Sequence, residues 1–119
     1  MKNWVVEFHP EFFEEFKGFS SLVQDNILAK SLLLEQFGPQ LGRPHVDVLN
    51  GSRYPNMKEL RLGIEYGTWR VAFAFDPKRK VVFLVAGDKA GKSQRVFYNN
   101  LIRKADIRFG EHLSNLYGK

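Results

Sequence analysis

Three strand-like runs follow one another in residues 58–88: "KELRL", "TWRVAFAF" and "VVFLVAGD", parted by the turn signals of Gly63 to Gly67 and of "DPKRK". Rich in β-branched and aromatic residues, they predict neighbouring strands of a mostly antiparallel sheet. Side chains alternate faces along a strand, so Leu60 and Leu62 share one side while Glu59 and Arg61 share the other. In the second run Trp69, Val71, Phe73 and Phe75 share one side, and Arg70, Ala72 and Ala74 the other. The large apolar set must face the helices.

A slip of one residue would bury the arginines, so matching the apolar faces sets Arg61 and Arg70 together on the opposite face. A two-residue tip at Glu65 and Tyr66 puts them directly across from each other, and other allowed registers put them diagonal. Like charges so placed repel by roughly 3 kcal/mol at about 5 Å and an effective dielectric near 20, and by less when solvated. A bound anion removes that cost, because paired guanidinium groups hold phosphate oxygens by directed, charge-assisted hydrogen bonds. Ala72 and Ala74 are small where Val or Phe is usual, which predicts a concave site beside Arg70. The plainer reading is that Glu59 or Asp88 neutralises the arginines on a solvated face. Lys58, Lys89, Lys92 and Arg95 add cations that can gather at one rim. Parity puts Lys58 on the side of Leu60, so it has to reach around the strand end.

The flanks supply helices. "NWVVEF" suits a first strand, and Pro10 then opens a short helix with Phe12, Phe13 and Phe16 as core and Gly18 past its end. Ser21 and Gln24 have the form of a capping box, followed by Val23, Ile27, Leu34 and Phe37 at helical spacing until "GPQLGRP". "VDVL" reads as a short strand. From Gln94 to Tyr117, the stripe of Phe97, Leu101, Ala105, Phe109 and Leu113 predicts a final helix against the sheet. The expected architecture is one α+β domain over residues 1–119, with two N-terminal helices and a C-terminal helix packed on one face of a sheet of about four or five strands.

Composition agrees and excludes much. The chain has 119 residues, 44% of them apolar and 11 of them phenylalanine, enough for a compact core. With no cysteine it can form neither disulfides, nor thiolate zinc sites, nor a cysteine nucleophile. No secretory signal or membrane-length apolar run is legible, so a soluble cytoplasmic protein is expected. The net charge of +5 is unevenly spread: acids crowd the first third, and the chain is more basic from Arg43 onward, which suits a polyanionic partner. His9, His45 and His112 lack ligand spacing, which favours surface or capping roles over metal binding. "GDKAGK" lacks the full phosphate-loop pattern.

The segment "NGSRYPNMKELRLGIEYGTWRVAFAFDPKRKVVFLVAGDKAGK" resembles the RelE/ParE toxin superfamily, and within it the phage-derived group of HigB-type toxins. These share an "L-x-G-S-R-x-P-x-M-x-E-L-R" block, a "W-R-V-x-F-A-F-D" strand and a "GDK" strand end; after "GDK" the usual tryptophan–tyrosine pair reads "VFY" here. The resemblance implies the RelE-like fold and a type II toxin that docks in the ribosomal A site and cleaves mRNA. It also implies a helix-turn-helix antitoxin of the HigA kind. In the superfamily the ribose 2′-hydroxyl attacks the neighbouring phosphate without metal or cofactor. Lys58, Arg61, Arg70 and Lys89 stand in the matching blocks as catalytic candidates. Arg53, Glu59, Lys92, Arg95 and Tyr98 are candidates for substrate contacts, and Lys58 or Glu59 for the general base. The same fold includes gyrase poisons, so a non-enzymatic inhibitor of a protein target is the alternative; a basic RNA-binding module without catalysis ranks last.

Overall fold

The computed structural model describes residues 3–64 and 67–118. Its elements run β1 (Val5–Phe8), α1 (Pro10–Lys17), α2 (Ser21–Phe37), a 3₁₀ turn (Gly38–Gln40), β2 (Val46–Val48), β3 (Lys58–Arg61), β4 (Trp69–Phe75), β5 (Lys80–Asp88) and α3 (Gln94–Tyr117). The sheet has the order β1-β5-β4-β3-β2, with β1 parallel to β5 and every other pair antiparallel. This is the α+β class and the strand count that the sequence predicts.

Local chemistry fixes the helix ends, with three departures from expectation along the helices. Pro10 opens α1, where the His9 Nδ1 accepts a hydrogen bond from the Glu11 N–H at 3.1 Å. Phe12 of that helix is fully buried, but Phe13 is 47% exposed beneath the Lys17 ammonium, so it is not core. The cap of α2 is Ser20, one residue before the predicted one: its Oγ accepts from the Val23 N–H. The Gln24 amide donates to the Phe16 carbonyl at 2.8 Å instead of closing a capping box. Val23, Ile27 and Leu34 are buried as their spacing predicts, whereas Phe37 is exposed. The backbone turns out of α2 at Gly38, whose φ of 55° and contact with the Trp4 indole leave no room for a side chain.

The larger correction concerns layers. Helices cover both faces of the sheet. Leu60, Leu62, Val71, Phe73, Val81 and Phe83 form one core with Phe12, Val23, Ile27 and Leu34 of α1 and α2. Ala72, Ala74, Val82 and Leu84, of opposite parity, form a second core with Phe97, Leu101, Ala105 and Phe109 of α3. Ala72 and Ala74 are small because α3 lies on them; both are fully buried and open no concave site. The face that bears the arginines is thus a packed face under α3, with the arginines beside the β2–β3 edge.

Candidate functional site

The β3–β4 ladder pairs Arg61 directly with Arg70, Leu60 with Val71 and Glu59 with Ala72. The predicted tip residues Glu65 and Tyr66 lie outside the described residues, yet the facing of the two arginines is fixed by the ladder itself. Both line a polar cleft of about 340 Å³ together with Asp47, Glu59, Lys89 and Tyr98. Its walls come from β2, β3, β4, the residue after β5 and the first turns of α3, and exposed Asn50 and Gln94 complete it.

Between the arginines sits Glu59. Its side chain is 6% exposed, with Oε2 at 3.4 Å from the Arg61 Nη2 and Oε1 at 3.6 Å from the Arg70 Nε. The Tyr98 hydroxyl, carried in by α3, donates to Oε1 at 2.7 Å. Arg61 also reaches the Asp47 carboxylate at 3.4 Å, and the Arg70 Nη1 donates to the Gly67 and Trp69 carbonyls at 2.6 and 3.1 Å. The cross-strand repulsion is therefore relieved in part from within, as the plainer reading of the sequence has it. The other named carboxylate takes no part: Asp88 pairs across from Trp69, on the opposite parity, and accepts from the Thr68 hydroxyl and the Ala90 N–H.

The relief is incomplete. Among the described residues, both Arg61 and Arg70 keep a buried Nε–H without a hydrogen-bond acceptor, the Arg70 Nε lying 3.6 Å from the Glu59 Oε1. A buried donor without a partner costs about 1–3 kcal/mol, so native proteins seldom leave one unless water, an ion or a ligand completes it. Among the described lining residues, three cations (Arg61, Arg70, Lys89) stand against two carboxylates (Asp47, Glu59), a balance of one positive charge. Asp47 is held below the usual carboxylate range by the Val48 N–H, then by Arg43 and Arg61. Burial, and then the Glu59 carboxylate, push the Tyr98 phenol above its ordinary value, so it stays protonated at neutral pH.

Of the residues singled out in the sequence, Arg61, Arg70, Lys89, Glu59 and Tyr98 converge on the cleft. Lys58 does not: it opens β3 opposite Val48 and Phe73 with the parity of Leu60, and the cleft is built without it. Arg53 stacks on Tyr54, and its own N–H donates to Asp106. The Lys92 ammonium donates to the Asp88 carbonyl, and Arg95 is exposed on the first turn of α3. Asp47, Asn50 and Gln94 escaped sequence reasoning. Asp47 joins the site only because β2 pairs it with Glu59, and a three-residue strand carries no periodic signal.

The histidines hold the fold together. Because the His9 Nδ1 accepts a backbone N–H, its proton sits on Nε2, which donates to Glu111 at 2.9 Å. The His45 Nδ1 lies 2.8 Å from the Lys30 ammonium, whose pKa burial lowers, and the His112 Nε2 lies 2.7 Å from Asp76. Among the described residues no helix is long and apolar enough to cross a membrane.

Residues 14–110 match the family described as "Phage derived protein Gp49-like (DUF891)". Two Mycobacterium tuberculosis proteins with toxin names are similar in sequence. HigB2 is 46% identical over 89 residues, which are 74% of this chain and 44% of HigB2. HigB3 is 49% identical over 87 residues, 72% of this chain and 73% of HigB3. The chain thus spans less than half the length of one relative and nearly three quarters of the other. In three dimensions it resembles a mutant of the E. coli toxin RelE in the free state, with a TM-score of 0.61 at 16% identity, covering 87% of this chain and 97% of that one. It also resembles the RelE–RelB complex of Pyrococcus horikoshii, with a TM-score of 0.55 at 15% identity, covering 75% and 98%. At such identities the likeness is one of fold. On the extent of the family match and the identity to relatives, the chain belongs to the phage-derived Gp49-like family and groups with the HigB-type toxins, and its fold is like that of RelE.

Proposed function

We propose that the chain is the toxin of a type II toxin–antitoxin pair and that it cleaves mRNA in the ribosomal A site. The observation that carries this reading is the cross-strand Arg61–Arg70 pair, lining a polar cleft and holding two buried guanidinium N–H groups that have no hydrogen-bond acceptor among the described residues. Phosphoryl transfer asks a protein for positioning and for charge stabilisation on the equatorial oxygens, and this constellation supplies both. The ribose 2′-oxygen attacks the adjacent phosphorus, the bond to the 5′-oxygen breaks, and a cyclic phosphate and a free 5′-hydroxyl result. Arg61 and Arg70 hold the phosphate, and Lys89 adds a cation on the β5 side. Of the two base candidates, Glu59 lines the cleft and Lys58 does not, which favours Glu59 as acceptor of the 2′-hydroxyl proton. The scheme uses neither metal nor cofactor. The toxin names of the two relatives support it, as does the RelE–RelB complex, in which a protein of this fold is bound to a partner. A helix-turn-helix antitoxin is the partner expected here.

The test is a purified translation reaction with a defined message. Cuts inside translated codons, each leaving a 5′-hydroxyl end, support the reading. Folded Arg70→Gln protein should cut about 100- to 1,000-fold more slowly, the scale on which loss of one transition-state donor is felt. Intact messages with double-stranded DNA breaks in induced cells would instead identify a gyrase poison.

A further inference from the structure

The Glu59 carboxylate stops short of the arginines that flank it. A carboxylate between two guanidinium groups ordinarily docks on them through charge-assisted bonds of about 2.7–2.9 Å, often two in parallel. Here its oxygens lie 3.4 Å from the Arg61 Nη2 and 3.6 Å from the Arg70 Nε, while Oε1 lies 2.7 Å from the Tyr98 hydroxyl. A neutral phenol thus holds the shortest hydrogen bond of the carboxylate, and two cations hold the longer contacts. The same displacement accounts for an Arg70 Nε–H that has no acceptor among the described residues although Oε1 is its neighbour.

Packing fixes each member of this group. Glu59 sits in the ladder between Asp47 of β2 and Ala72 of β4, and its side chain is too buried to turn out to solvent. Arg70 is as deeply buried, with its Nη1 tied to the Gly67 and Trp69 carbonyls. Tyr98 stands on α3, where its neighbours Phe97 and Leu101 are rooted in the second core; its ring packs on that core and lies edge-on to Phe97 at 5.1 Å. Burial, and then the Glu59 carboxylate, raise the pKa of the phenol, so it keeps the proton that it donates. Take the hydroxyl away, and the arginines are the only side-chain partners left to Glu59 among the described residues.

We infer that Tyr98 is a positioning residue: its hydroxyl draws the Glu59 carboxylate off the arginine pair and so keeps both Nε–H groups open for a phosphate of the RNA. Without that hydroxyl Glu59 closes on Arg61 and Arg70, satisfies them from within and competes with the phosphate. That the ligand is an RNA phosphate rests on the function proposed above; the contest between Tyr98 and the arginines for Glu59 does not.

Two readouts on the full chain test this, and neither needs cleavage. The first is the nitrogen-15 spectrum of the arginine side chains without ligand. In Tyr98→Phe the Nε–H signals of Arg61 and Arg70 should move downfield, as donors do when a carboxylate accepts them, and adding Glu59→Gln should remove that shift. The second is binding of a single-stranded RNA blocked by 2′-O-methylation. Tyr98→Phe should weaken it about tenfold where Glu59 is intact, the scale of one hydrogen bond to a charged group, and leave it unchanged in the Glu59→Gln background. Backbone amide spectra show whether each variant is folded, and Tyr98→Phe alone, which keeps every charge, suffices for the first readout. Nε–H signals that Tyr98→Phe leaves in place would overturn the inference. So would an equal loss of binding in both backgrounds, which would mean that Tyr98 touches the RNA itself. Shifted signals in a chain whose native form binds no RNA would sink the nuclease reading and leave the hold of Tyr98 on Glu59 standing.

Discussion

Glu59 has two positions to serve, one in the ladder and one in the charge pattern. It stands between two arginines that the ladder forces together, and it accepts the Tyr98 hydroxyl from a third element. Removing its charge leaves the guanidinium pair to repel and keeps the shape. Glu59→Gln is expected to lower unfolding free energy by about 3 kcal/mol, the lower end for a buried pair that loses one partner, as read from urea titration. If Glu59 also accepts the 2′-hydroxyl proton, kcat falls in that variant while KM holds. A second ion pair gives a pH signature. Arg108 lowers the Glu15 pKa from its ordinary 4.5 through a side-chain hydrogen bond, against the opposing effect of burial. A depressed folded-state pKa stabilises the fold above the unfolded value, and that part is lost as pH falls through the folded value. Urea midpoints should therefore drop more steeply with acid in the native chain than in Arg108→Gln, and equal slopes would contradict the assignment.

At the level of elements, the strands were easier to read than the layers. Period-two alternation in "KELRL" and "TWRVAFAF" fixes both faces of the hairpin, and the apolar match sets Arg61 and Arg70 on one face; their direct pairing is one of the registers that match leaves open. What alternation cannot show is which helix covers which face, since both parities of β4 and β5 are apolar. The small side chains of Ala72 and Ala74 suit equally an empty cleft and a close-packed helix; only the position of α3 decides. Ala74→Leu tells the two apart. Under α3 it is expected to cost about 1–3 kcal/mol through overpacking, whereas beside an open cleft it would be near neutral. The cap of α2 fell one residue off because adjacent serines offer the same hydroxyl. Ser20→Ala should cost about 1 kcal/mol in thermal or urea unfolding, and Ser21→Ala close to nothing. Lys58 was the sequence candidate most exposed to this kind of error, and its parity holds it off the cleft.

Across the molecule, a net charge of +5 meets a cleft that keeps one uncompensated positive charge after its internal carboxylates are counted. Binding to single-stranded RNA should weaken linearly in log K against log salt, and neutralising Arg61 or Arg70 should flatten that slope by about 0.7 each if both contact phosphate. Charge of this kind was visible in the sequence as asymmetry between the first third and the rest, but its focus was not, because Asp47 and Tyr98 come to it from remote segments. Everything proposed for the reaction depends on one phosphate sitting between two guanidinium groups. A crystal structure with RNA blocked by 2′-O-methylation shows this directly: a phosphate should lie within about 3 Å of the Arg61 and Arg70 nitrogens, with both Nε–H groups given an acceptor. A backbone that passes elsewhere, leaving Glu59 and Asp47 as the counter-ions of the pair, would contradict the account.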